Sequence, residues 1–177
     1  MTAELTVSDQ VAALVGHTYR MPGYYEVGRE KIREFAGAVH DDHPAHHLEE
    51  GAAELGYRTL IAPITFTSIL GSIVQQHLFT EFVTVYDLSQ VLHTDQRIVV
   101  HRPVRVGDQL YCESTLESFR ESHGQDVLVF RNEITGGDGG AVQTSWTTMT
   151  ARSGGVIDEA LAGVVADVTR RRAPRRH

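Results

Sequence analysis

The sequence predicts an α+β domain in which an antiparallel sheet covers one face of a helix, and three observations carry that prediction. In the first half of the chain, apolar residues recur at helical spacing around positions 28–39 and 63–78. From Ser89 onward the grain changes to runs rich in Val, Ile, Thr and aromatics, near 89–101, 109–122, 126–135 and 141–151. These are strand-like, and they are separated by RPVRVGD, HGQ and TGGDGG, which is turn chemistry. Helices followed by a meander of long strands give the layered α+β arrangement.

The first helix is read over 28–39, where Ile32, Phe35, Ala36 and Val39 form the apolar stripe and REKIRE the polar side. HDDHPAHH then breaks the pattern, because Pro44 disfavours helix at His43 and the Asp and His side chains favour caps and turns. LEEGAAELG reads as a short helix stopped by Gly56, followed by an extended stretch over 59–62. Pro63 is suited to the first turn of a helix, and Phe66, Ile69, Leu70, Ile73, Val74 and Leu78 trace its apolar face. Thr65, Thr67, Ser68, Gly71 and Ser72 keep the other side small, as suits a buried central helix closely wrapped by other structure. The organisation expected is one domain over 1–155 and a C-terminal tail over 156–177, with a short helix at VIDEALAGVVADV and a basic end.

Composition narrows the function. At 177 residues and 41% hydrophobic content the chain can bury one core. No run of eighteen apolar residues occurs and the first residues carry Glu4 and Asp9, so neither a membrane span nor a signal peptide is expected and the cytoplasm is the expected location. A net charge of −7 argues against nucleic acid as the main partner. RRRAPRRH reads as a solvated tail. The single cysteine, Cys112, lies in a strand-like run and is expected to be a small buried hydrophobe.

The densest titratable cluster is His40, Asp41, Asp42, His43, His46 and His47, within one loop between helices. Three readings compete there. The side chains can be a solvated set that caps helices. His43 with His46 or His47, completed by the aspartates, can form a metal site. An imidazole and a carboxylate can divide the proton transfers of one elimination.

The spacing Asp41-x-x-Pro44-x-His46, followed by five residues and Ala52, with Phe35 at an aromatic position, resembles the signature of the MaoC-like, or hydratase-2, family. The passages YYEVGREKIREFAGAV, GAAELGY, LIAPITF, HTDQRIVVHRPVRVGDQLY and ESHGQDVLVFRNEIT are similar to the small actinobacterial subunits of the (3R)-hydroxyacyl-ACP dehydratases that serve mycolic-acid elongation. The resemblance implies a hot-dog fold, an antiparallel sheet wrapped around a long central helix. It also implies interconversion of (3R)-3-hydroxyacyl and trans-2-enoyl thioesters by Asp41 and His46, without cofactor or metal. Where the general family has glycine before the Asp and asparagine before the proline, this chain has His40 and His43, and Ala45 replaces a larger aliphatic residue.

The resemblance also implies a backbone N–H at the start of the central helix that faces the thioester oxygen. Pro63 cannot donate, so Ile64 N–H is the candidate, helped by the free amides of a first helical turn. The resemblance further implies an acyl-ACP or acyl-CoA substrate and a homodimer or a heterodimer with a related subunit. Arg29, Lys31, Arg33, Arg97, Arg102 and Arg105 are candidates for steering an acidic acyl carrier protein. Two alternatives stand beside the enzyme: a non-catalytic substrate-binding subunit of a heterodimeric dehydratase, and a hot-dog acyl thioesterase. The absence of Asp or Glu over 65–76 counts against the thioesterase, which usually carries its carboxylate there.

Overall fold

The computed structural model describes residues 6–86, 88–152, 163, 164 and 167. A short capped helix α1 (Val7–Ala12) leads into β1 (Thr18–Arg20) and β2 (Tyr25–Glu26). Helices α2 (Arg29–Ala38), α3 (Glu49–Glu54) and α4 (Ser68–His77) follow, and α4 runs on into a π-helical turn at Leu78–Phe82. Four long strands complete the order: β3 (Val91–Val100), β4 (Gln109–Ser122), β5 (Gln125–Thr135) and β6 (Ala141–Ala151). They lie in the order β1-β4-β5-β6-β3, every pair antiparallel, with β2 also on β4. The hairpins follow from their turns, since His123 and Gly124 both take positive φ between β4 and β5, as a tight connection of this hand requires.

Strand alternation sets the core. Leu110, Cys112, Ser114 and Leu116 face inward from β4, with Leu128 and Phe130 beside them on β5. Leu70 and Val74 of α4, with Leu78 and Phe79 of the π-helical turn, fill the space between helix and sheet, where Phe79 meets Phe130 edge-on at 6.2 Å. Phe35 of α2 packs on Phe66 at 5.4 Å, so α2 is anchored to the segment that precedes α4. Cys112 is buried as expected, and burial, with a smaller effect from Glu113, pushes its thiol up to about 12. At neutral to mildly alkaline pH, Ellman's reagent is therefore expected to label Cys112 only in denaturant. Fast labelling of the folded protein would contradict this.

The sequence reading needs correction in three places. The central helix begins at Ser68, not at Pro63, because residues 63–67 close tighter turns in which Phe66 N–H donates to Pro63 O and Ser68 N–H to Thr65 O. Its small-residue face is not wrapped by this chain: Ser68, Gly71 and Ser72 are exposed. Val39, placed in the stripe of the first helix, is the C-cap of α2 and is 45% exposed. Three short elements, α1, β1 and β2, were not foreseen. The boundary at 153–155 and the helix expected at VIDEALAGVVADV lie outside the described residues, apart from three helical positions at 163, 164 and 167.

Candidate active site

The loop after α2 is built by a helix stop. His40 N–H donates to Gly37 O and Asp41 N–H reaches back to Ala36 O at 2.9 Å, the paired closure that ends a helix with one left-handed residue. His40 is that residue, with φ +56. A glycine takes this conformation freely, whereas a residue with a Cβ gives up roughly 1–2 kcal/mol. The departure at His40 therefore costs stability while the chain still turns.

The Asp41 side chain organises the next turn. Its Oδ1 accepts from His43 N–H at 3.2 Å, and His43 Nδ1 accepts from Ala45 N–H at 3.2 Å, capping a 3₁₀ turn over Pro44–His46. His47 Nε2 meets Asp41 O at 2.9 Å, while Arg33 Nε donates to His47 O at 3.0 Å and ties the loop to α2. Beneath the turn, Ala45, Ala52 and Ile61 form a small apolar cluster with Tyr57 against them. Gly51 of α3 sits so close that an added Cβ would lie 2.5 Å from the Pro44 carbonyl carbon.

This frame fixes His46 from both ring nitrogens. Its Nδ1 lies 2.7 Å from Ile61 O, and Ile61 N–H donates to Ala45 O. A carbonyl oxygen only accepts, so Nδ1 carries a proton and Nε2 holds the lone pair in the neutral ring. Nε2 stands 3.2 Å from Asp41 Oδ2. Both of those atoms accept when the ring is neutral and the carboxylate ionised, so the contact is a hydrogen bond when the pair holds one further proton. His46 is 8% exposed, whereas the Asp41 side chain is 39% exposed and open to an incoming group. The solvated-loop reading therefore fails for His46.

Ile64, the expected oxyanion donor, lies three residues beyond Ile61 and is 70% exposed. Its N–H has no acceptor among the described residues. It precedes the first residue of α4 by four positions, so the first-turn dipole expected to help it does not apply there. His43 and His47 spend ring nitrogens on the backbone, and among the described residues no three His, Cys, Asp or Glu side chains converge as a metal site. Of the cations proposed for steering, Arg29 pairs with Glu49, Lys31 with Glu34, Arg33 with Glu30 and Arg102 with Asp108. Arg97 lies over the Trp146 ring, which leaves Arg105 as the one of the six with neither an ion pair nor a ring contact among the described residues. Sequence reasoning missed Arg33 and Gly51 as parts of this site. Gly51, a glycine inside a short helix, was the one legible signal.

Residues 13–145 match the family model described as "FAS1-like, dehydratase domain region". The chain belongs to that dehydratase-region family. A UPF0336 protein of Mycolicibacterium paratuberculosis is 46% identical over 82% of this chain and 83% of its own length. The C-terminally truncated HadBC (3R-hydroxyacyl-ACP dehydratase) complex of Mycobacterium tuberculosis contains a chain 43% identical, with a TM-score of 0.71, over 78% of this chain and 97% of its own. A MaoC-like dehydratase structure superposes with a TM-score of 0.78 at 37% identity, over 88% of this chain and 48% of the other. The fold is thus the hot-dog of the MaoC-like dehydratases, as the resemblance implied.

Proposed function

We propose that this member of the dehydratase-region family is a (3R)-3-hydroxyacyl-thioester dehydratase, equally a trans-2-enoyl hydratase, acting in the cytoplasm in fatty-acid or mycolic-acid elongation. The observation that carries the reading is the 3.2 Å approach of His46 Nε2 to Asp41 Oδ2 with Nδ1 committed to Ile61 O. Dehydration needs a base at Cα and an acid at the 3-hydroxyl. With the shared proton on Asp41, the lone pair of His46 takes the Cα proton while Asp41 protonates the departing hydroxyl as water. The proton now on His46 then returns to Asp41, and the pair is reset. Hydration runs through the other arrangement of the same single proton. The unpartnered Ile64 N–H is the group assigned to the thioester oxygen as charge develops there.

The substrate is an acyl-CoA or acyl-ACP thioester, and the chain needs no metal or cofactor in this scheme. Hydration of crotonyl-CoA and of a longer trans-2-enoyl thioester by the purified chain, followed by loss of enoyl absorbance, tests the reading. Activity is expected to survive exhaustive dialysis against a chelator, whereas activity lost and restored by zinc would point to metal-assisted hydrolysis instead.

A second reading is favoured by the β3 edge. Leu92, Ile98 and Val100 are exposed along a ten-residue strand whose one partner among the described residues is β6, and such an edge is normally covered. The chain would then sit beside a second hot-dog subunit, as a homodimer or a heterodimer. If it only binds substrate for that partner, the isolated chain will be inactive and the complex will keep its rate when Asp41 and His46 of this chain are replaced.

A further inference from the structure

An open cleft of about 450 Å³ lies where the turn after α3 meets the loop before β4, lined by Tyr57, Arg58 and Thr59 on one side and by Arg105 and Asp108 on the other. Its size is that of a small-molecule site. Arg58 and Arg105 are exposed, and neither guanidinium has an ion pair, hydrogen bond or ring contact among the described residues. Asp108 does not neutralise them, because its carboxylate takes the Arg102 guanidinium at 2.7 and 3.2 Å and the Arg105 backbone N–H at 2.9 Å. Asp138 feels the charge of Arg105, yet its carboxylate is committed to Gly140 N–H at 2.9 Å. The N–H groups of Arg58 and Thr59 and the Thr59 hydroxyl also have no acceptor among the described residues. Two free guanidinium forks beside free neutral donors suit a phosphoryl group, whose oxygens accept several hydrogen bonds at once. The cleft is joined to the reacting pair through one extended segment. Ile61 N–H donates to Ala45 O at 3.2 Å and Ile61 O meets His46 Nδ1 at 2.7 Å, so Ile61 faces the turn that carries His46. Its neighbours face the other way, as alternation requires: Val106 N–H donates to Leu60 O at 3.2 Å and Ala62 N–H to Val104 O at 2.8 Å, with Arg105 opposite Ile61 in antiparallel register. Residues 60–62 are therefore the middle of three layers. Arg58 leads into that middle layer, and Arg105 lies on the outer one.

We propose that this cleft is an effector site for a free phosphoryl anion of the diphosphate class, separate from the place where the thioester reacts. An anion held by Arg58 and Arg105 together ties the middle layer to the outer one. It thereby steadies Ile61, whose carbonyl orients the His46 ring. The thioester meets His46 at Nε2, the ring nitrogen turned to Asp41 and away from Ile61. The cleft thus stands behind the pair and off the approach of the substrate. Small displacements of a reacting group are costly at the transition state, so a steadier Ile61 acts on kcat more than on KM. The effect on turnover rests on the dehydratase reading above; binding of the anion does not.

The test titrates inorganic pyrophosphate into the full chain by calorimetry at low ionic strength, where exposed charges are least screened. Saturable binding is expected with a Kd of about 1 mM or lower, the scale of a few charge-assisted hydrogen bonds. Arg58→Gln and Arg105→Gln should each weaken it about tenfold. Arg120→Gln removes the same charge from the exposed far end of β4 and should leave the Kd unchanged. Melting curves show that each variant is folded. In crotonyl-CoA hydration, saturating pyrophosphate should raise kcat of the parent about twofold or more with KM unchanged, and the rise should vanish in the two cleft variants. Absence of saturable binding, or a Kd unmoved in both folded cleft variants, overturns the proposal. Binding that leaves kcat unchanged overturns the effector role, and competition with crotonyl-CoA overturns the separation of the cleft from the substrate. Arginine-dependent binding in a chain with no hydration activity keeps the anion site and rejects the hydro-lyase reading.

Discussion

Replacement of His46 by alanine is expected to lower kcat for enoyl-thioester hydration by about 100-fold or more, the usual scale for losing a general acid or base. That loss corresponds to about 2.7 kcal/mol of transition-state stabilisation. Asp41→Asn should fall as far, since the amide keeps the shape of the carboxylate and cannot exchange the shared proton. Because His46 Nε2 and Asp41 Oδ2 act on one proton across 3.2 Å, the double variant should be little slower than the poorer single one. His43→Ala and His47→Ala remove backbone contacts and no reacting group, so each should cost less than about tenfold.

Stability should separate these variants. His46→Ala leaves Ile61 O, at 2.7 Å from Nδ1 in the parent, without that partner in a buried place, a loss of about 1–3 kcal/mol. For a chain of this size that lowers Tm by roughly 2–4 °C per kcal/mol. Asp41→Asn, half-exposed, should melt close to the parent. Steady-state kinetics run beside thermal melts decide the assignment, and full activity in His46→Ala would sink it.

Much of this was legible because local rules and global fold agree. The strand limits near 109–122 and 141–151 coincide with β4 and β6, since period-two alternation and glycine-rich turns both specify them. The 28–39 helix is α2 within a residue at each end. The Asp41 and His46 spacing is short enough for one loop to bring the two together. What was hidden depends on contacts that spacing does not record. β1 and β2 are three and two residues long and exist because β4 offers them an edge. The start of α4 at Ser68 is set by how residues 63–67 turn across the Phe66 contact, although Pro63 alone permits an earlier start. The polar row Ser114, Asn132 and Ser145 is spread over three strands, and only the sheet register makes it one feature. The carbonyl that fixes the buried His46 ring belongs to Ile61, fifteen residues away in sequence.

Gly51→Ala is expected to damage both stability and turnover without touching either reacting group. Helix propensity alone predicts the opposite sign, because alanine is favoured over glycine by about 1 kcal/mol inside a helix, and Gly51 lies in α3. The packing decides against propensity. A Cβ built on Gly51 would lie 2.5 Å from both the carbonyl carbon and the Cβ of Pro44 and 2.8 Å from its oxygen. Those are backbone and ring atoms with no rotamer to yield, so either α3 or the Pro44–His46 turn must move. Overpacking of this kind costs typically about 1–3 kcal/mol, which outweighs the propensity gain. A shift of that turn also moves His46 relative to Asp41 and Ile61, and misplacement by about 1 Å can cost on the order of 100-fold. The expected result is a Tm lowered by several degrees, at roughly 2–4 °C per kcal/mol, together with a kcat that falls more than KM changes. Gly71→Ala is the control: it also puts alanine into a helix, and its Cβ would meet nothing within 4 Å. That variant should be as stable as the parent or slightly more so. Equal melting temperatures and equal rates for the Gly51 and Gly71 variants would show that the close approach of α3 to Pro44 does not hold the catalytic turn in place.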